Sequence, residues 1–78
     1  MERQLLGERL RIARARQRMS QLDLVIALEE RGLTLTQSTI GKIERGERNL
    51  YVHQLVALAE TLDISLDWAI YGGELDVK

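Results

Sequence analysis

The amino-acid sequence predicts an all-α fold, five short helices packed around one core, in a single domain spanning residues 1–78. Three observations carry this expectation. Proline is absent, β-branched runs are short, and Leu, Ala, Glu, Arg and Gln predominate, so almost every stretch prefers helix. Capping residues and glycines recur at helix-length intervals and punctuate the chain. Between those marks, apolar residues fall at three- and four-residue spacings. With 45% hydrophobic and 29% charged residues the chain is too apolar for a disordered tail, and 78 residues leave room for one core and little else.

The first helix is expected over residues 3 to 18, where Leu6, Leu10 and Ala13 form an inward stripe and arginines at 3, 9, 11, 14, 16 and 18 fill much of the remaining surface. That arginine run is open to two readings, a solvated face or a basic patch facing a polyanion. Ser20 stands before the second helix with Asp23 three residues on, the pattern of a capping box. Leu24, Val25 and Leu28 supply its inward face, and Gly32 offers the left-handed conformation that ends helices. Thr36 caps a third segment, Gln37 to Arg45, closed by Gly46. Only Ile40 and Ile43 are large and apolar there, so most of this short helix, about 13 Å long, is free to touch something. Its first turn displays Gln37, Ser38 and Thr39, and Lys42 lies one turn after Ser38 on the same side. Asn49 is expected to cap a fourth helix running to about Leu62, with Val52, Leu55, Leu58, Ala59 and Leu62 buried. Ser65 caps a fifth, closed by Gly72-Gly73, which leaves residues 74–78 as a frayed tail.

The absence of cysteine excludes disulfides, thiolate catalysis and cysteine-ligated zinc. A single histidine, His53, expected to face solvent, and no glycine-rich phosphate loop or metal-ligand spacing leave no catalytic residues, metal site or cofactor to expect; the reading is of a protein that is not an enzyme. No run approaches the roughly 20 apolar residues that cross a bilayer, and the N-terminus lacks a signal peptide's apolar core, so no membrane partner and a cytoplasmic location are expected. Net charge is −1, which at first sight argues against nucleic acid. Its distribution argues the other way. Residues 1–49 hold ten Lys and Arg against seven Asp and Glu, whereas residues 50–78 hold one against five. Screening over about 10 Å at 0.1 M salt lets the basic portion act separately from the acidic end.

Leu6-Gly7-Glu8-Arg9-Leu10-Arg11, Met19-Ser20-Gln21, Ser38-Thr39-Ile40-Gly41-Lys42-Ile43-Glu44-Arg45-Gly46 and Ile64-Ser65-Leu66-Asp67-Trp68 stand in one register. Together they resemble the lambda-repressor-like, Cro/C1-type (XRE-type) helix-turn-helix family over nearly the whole chain, from about Leu6 to Gly72. The resemblance implies a compact five-helix DNA-binding domain whose helix-turn-helix is formed by helices 2 and 3. The sequence departs from the family in the turn, where Glu29 to Thr34 occupies a place usually filled by one glycine. Leu50 stands where proline is common. Leu22 and Ile26 are apolar where polar residues are usual and, at i and i+4, are expected to pack on the inserted segment.

The implied pose lays helix 3 in the major groove of double-stranded DNA while helix 2 crosses the backbone. It assigns base reading to Gln37, Ser38 and Lys42, with Thr39 beside them. Gln37 carries the donor and acceptor for a bidentate adenine contact, and Lys42 suits guanine O6 and N7. Gln21 matches the family's phosphate-binding position, and Thr36, Arg45, Arg48 and Asn49 are further phosphate candidates. Arg14 and Glu44 match a family pair that forms a structural salt bridge between helices 1 and 3. A motif this small gains specificity by pairing over a palindromic operator, so a homodimer is expected, with Trp68, Ile70 and Tyr71 at its interface; Trp68 is equally open to reading as a core plug. The implied role is a small transcriptional regulator, a repressor or a controller protein, with no small-molecule ligand. The alternative is a protein-interaction module on the same fold, such as an antitoxin or adaptor. The length and the Glu47-Arg48-Asn49-Leu50 run resemble controller proteins of restriction-modification systems, and Asp67-Trp68 resembles phage repressors.

Overall fold

A computed structural model describes residues 2–73, so the expected frayed tail at 74–78 lies outside the described residues. Five helices follow one another: α1 (Arg3–Arg16), α2 (Gln21–Glu30), α3 (Gln37–Glu44), α4 (Val52–Leu62) and α5 (Leu66–Tyr71). No described residue is in a strand.

The helix starts follow from side-chain chemistry. The Ser20 hydroxyl accepts the Asp23 amide at 2.9 Å while the Asp23 carboxylate accepts the Ser20 amide at 2.8 Å, closing a capping box. The hydrogen bond from the Ser20 amide holds the Asp23 carboxyl below the usual carboxylate range. Thr36 and Ser65 cap α3 and α5 in the same way, accepting the amides of Thr39 and Trp68. The first four helix ends share a second device, a residue of positive φ whose successor's amide reaches back to a carbonyl five residues earlier. Met19 bonds Arg14, Leu33 bonds Leu28, Glu47 bonds Lys42 and Ile64 bonds Ala59. Glycine supplies the left-handed residue at 32 and 46, but Arg18 and Asp63 supply it at the other two ends. The first helix therefore stops at Arg16, short of the sequence expectation.

The fourth helix starts later than its sequence suggests. Asn49 is not the cap; Tyr51 is, and the buried Gln54 carboxamide oxygen accepts its amide at 3.0 Å. Val52, expected inside, is 79% exposed, because starting the helix at 52 turns its first residue outward and leaves Leu55, Leu58, Ala59 and Leu62 as the buried stripe. Leu22 and Ile26 are also exposed rather than packed on the inserted segment. Leu33, within that segment, instead packs against the core, and Leu35 just after it is buried.

The core draws on every helix. Leu10, Leu24, Leu28, Ile40, Leu58 and Leu62 are its most enclosed large side chains. Trp68 is buried among them and its indole N–H donates to the Gly73 carbonyl at 3.1 Å, so it is a core plug and not part of an exposed interface. Two features tie α1 to its neighbours. Gly7 sits so close to α3 that a Cβ there would meet the Glu44 carbonyl oxygen at 2.7 Å and the Ile43 carbonyl closer still. The Arg9 guanidinium donates to the carbonyls of Ala69 and Ile70 at 3.2 and 2.9 Å, tying α1 to the C-terminal end of α5.

Candidate nucleic-acid interface

Helix α3 has two unlike sides. Ile40 and Ile43 enter the core, and Gly41 and Glu44 are covered by α1, α2 and the Arg45 side chain. Gln37, Ser38 and Lys42 are exposed. Because Ser38 and Lys42 are one turn apart and Gln37 adjoins Ser38, the three make one polar ridge on the outward side. Thr39, the fourth base-reading candidate, is half-buried; its hydroxyl accepts from the Thr36 hydroxyl at 3.0 Å and its amide donates to the same oxygen at 3.1 Å. Thr36 thus spends its hydroxyl on the cap, which holds the leading turn of the ridge in shape.

A polar cleft opens beside this ridge where α1, α2 and α3 meet, lined among others by Glu8, Arg11, Arg14, Gln21, Glu44 and Arg45. At its floor the Arg14 guanidinium donates to Glu44 through Nε at 2.6 Å and Nη2 at 3.1 Å, and through Nη1 to the Met19 carbonyl at 2.7 Å. The side chains are only 16% and 6% exposed, so the pair is shielded from water. Gln21 opens α2 and directs its Nε2 to Glu44 Oε1 at 3.1 Å. A carboxylate only accepts, so this contact fixes the amide nitrogen inward on the Glu44 side and leaves its second hydrogen for an anion in the cleft.

The rim is built differently. Arg11 is paired with Glu8, and Arg45 with Glu47, both on the surface. The guanidinium bonds hold the Glu8 and Glu47 carboxyls below the usual range, and the Arg45 guanidinium is correspondingly raised. Sequence reasoning singled out neither Glu8, Glu47 nor Arg11 as part of a site. The i,i+3 spacing of Glu8 and Arg11 was the available signal. Arg48 and Asn49 are exposed in the connection between α3 and α4 and line a shallow depression with Leu50 and Tyr51, away from the Gln21 cleft. On α5, Tyr71 is 79% exposed and Ile70 half-buried. His53 is exposed and stacks on Tyr51 with ring centroids 5.9 Å apart. Among the described residues no His, Asp and Glu side chains cluster as metal ligands, and no helix is long and apolar enough to cross a membrane.

A helix-turn-helix family model matches residues 10–68. Among solved structures, the restriction-modification controller protein C.AhdI from Aeromonas hydrophila is similar at 34% identity, covering 80% of this chain and 86% of its own, with a TM-score of 0.69. No curated protein matches the chain.

Proposed function

Since the chain belongs to the Cro/C1-type helix-turn-helix family of DNA-binding regulators, we propose that it reads a palindromic operator as a homodimer and controls transcription in the manner of a controller protein. The observation that carries this reading is the division of α3 into a buried apolar side and an exposed ridge of Gln37, Ser38 and Lys42. A helix whose only outward groups are short hydrogen-bonding side chains and cations suits the major groove, where base edges present donors and acceptors. Gln37, Ser38 and Lys42 are assigned to base edges, Thr39 to holding the turn that presents them, and Gln21, Arg45, Arg48 and Asn49 to phosphates. The similarity to a restriction-modification controller favours the controller role over the phage-repressor one. The exposed end of α5, Tyr71 with Ile70, is assigned to the contact between protomers, which would set half-sites about 34 Å apart.

Selection from randomised duplexes, followed by gel shifts at fixed salt, tests the assignment. Gln37→Ala and Lys42→Ala should each relax preference at one base pair, costing about 1–3 kcal/mol, whereas Gln21→Ala should weaken all sequences alike. Unchanged preference in both α3 variants would overturn it. Sedimentation equilibrium with Tyr71→Glu tests the protomer contact, and a wild-type monomer at all concentrations would rule the homodimer out.

A further inference from the structure

The three arginines of the cleft are held by carboxylates in two different ways. Arg14 and Glu44 are shielded from water, and neither can let go without stranding the other. Arg11–Glu8 and Arg45–Glu47 are exposed, with side-chain exposures of 46% and 52% and of 58% and 54%. In both rim pairs the same guanidinium edge is occupied: Nε and Nη2 of Arg11 bond Glu8 at 3.2 and 2.5 Å, and Nε and Nη2 of Arg45 bond Glu47 at 2.9 and 3.4 Å. That planar edge is the one arginine presents to a phosphate, so the carboxylates stand where phosphate oxygens would. Arg45 also lies over Gly41, its Nη1 3.0 Å from where a Cβ would be, and Gln21 Nε2 approaches the same point at 3.7 Å. Arg45 therefore turns its free Nη1 toward the spot that the Gln21 amide also approaches, while its Nε and Nη2 stay on Glu47.

We propose that Arg11, Gln21 and Arg45, which line one cleft, seat a backbone phosphodiester, and that Glu8 within the cleft and Glu47 beside it hold the two arginines as internal phosphate surrogates that the nucleic acid must displace. This rests on the DNA-binding reading and adds Arg11, Glu8 and Glu47 to it. Exposed ion pairs are weak enough to exchange partners, so the surrogates do not block binding; they lower affinity for every duplex equally and blunt its salt dependence. Discrimination is thereby left to Gln37, Ser38 and Lys42, whose contacts the carboxylates do not touch.

The test is duplex binding by fluorescence anisotropy across a salt series, on an operator and on a random duplex, with Glu8→Gln/Glu47→Gln, Arg11→Ala, and Glu60→Gln as a control. Glu60 pairs with Arg31 in an equally exposed bridge that does not line the cleft. The double variant should bind both duplexes more tightly, about two- to fivefold per carboxylate removed. Its slope of log K against log salt should steepen by about 1 for each, and Arg11→Ala should make the slope shallower by about 1. Matched thermal melts show that all variants fold. Wild-type protein that binds no duplex at low ionic strength would overturn the DNA reading and this inference with it. Wild-type binding, with the double variant indistinguishable from Glu60→Gln or the slope unmoved by Arg11→Ala, would overturn this inference alone.

Discussion

Replacing Arg14 with alanine tests the load placed on the shielded pair. The substitution removes three hydrogen bonds, two to Glu44 and one to the Met19 carbonyl, and leaves a carboxylate whose side chain is 6% exposed with only the Gln21 amide for company. Removing one partner of a buried ion pair costs about 3–5 kcal/mol, because the remaining charge is desolvated without compensation. A chain of 78 residues has a total stability of about 4–12 kcal/mol at roughly 0.05–0.15 kcal/mol per residue. Arg14→Ala should therefore remove a large part of it and lower Tm by about 12–40 °C, at about 4–8 °C per kcal/mol for a domain of this size. The assay is urea and thermal unfolding followed by circular dichroism, with Glu44→Ala and the double variant completing a cycle. The two changes should be strongly non-additive, with a coupling of about 1.5 kcal/mol or more. Arg14→Met with Glu44→Leu, which empties the site of charge while keeping its bulk, should recover most of the loss. Additive single changes, or an Arg14→Ala cost under about 1 kcal/mol, would refute the claim that this pair joins α1 to α3.

Gly7→Ala should destabilise by about 1–3 kcal/mol or more in the same unfolding assay, since the added Cβ meets rigid backbone carbonyls of α3 and not a movable side chain. Trp68→Ala should cost about 3–5 kcal/mol, while Val52→Ala should stay within about 0.5 kcal/mol; the reverse order would contradict the start of α4 at Val52. Stability should fall in acid. Asp23, Glu8 and Glu47 all have folded-state pKa values below their unfolded ones, so the stability they add is fully present above the ordinary carboxylate range and drains away as pH falls through the lowered values. Asp23→Asn should flatten that acid slope in urea titrations between about pH 5 and 2, and an unchanged slope would dismiss the capping box as its source.

The order and number of helices were legible in the linear sequence because each is bounded by local chemistry. Ser20, Thr36 and Ser65 cap through residues three positions away, and Gly32 and Gly46 end helices by their own backbone freedom. The amphipathic stripes named Leu6, Leu10, Leu24, Leu28, Ile40, Leu55 and Leu58 as core, and all are buried. The polar ridge on α3 was equally visible, because only two of its residues are large and apolar and these leave one side for water. What could not be read locally depends on partners distant in sequence. Arg18 and Asp63 take the left-handed conformation that glycine adopts most easily, at ends closed by the Met19–Arg14 and Ile64–Ala59 backbone bonds. Asn49 has the chemistry of a cap, yet the buried Gln54 amide starts the helix at Val52 instead.

The sequence alone therefore determined the number and order of the elements, most of their inward faces and the polar character of the third helix, since caps, periodicity and side-chain chemistry act within a few residues. Only the tertiary structure decided that Trp68 fills the core, that Gln21 points its amide nitrogen at Glu44, and that Arg11 and Arg45 at the cleft are paired with surface carboxylates. These outcomes turn on how closely α1 can approach α3 and α5, and that distance is set by packing around Gly7 and Arg9, which no local pattern encodes.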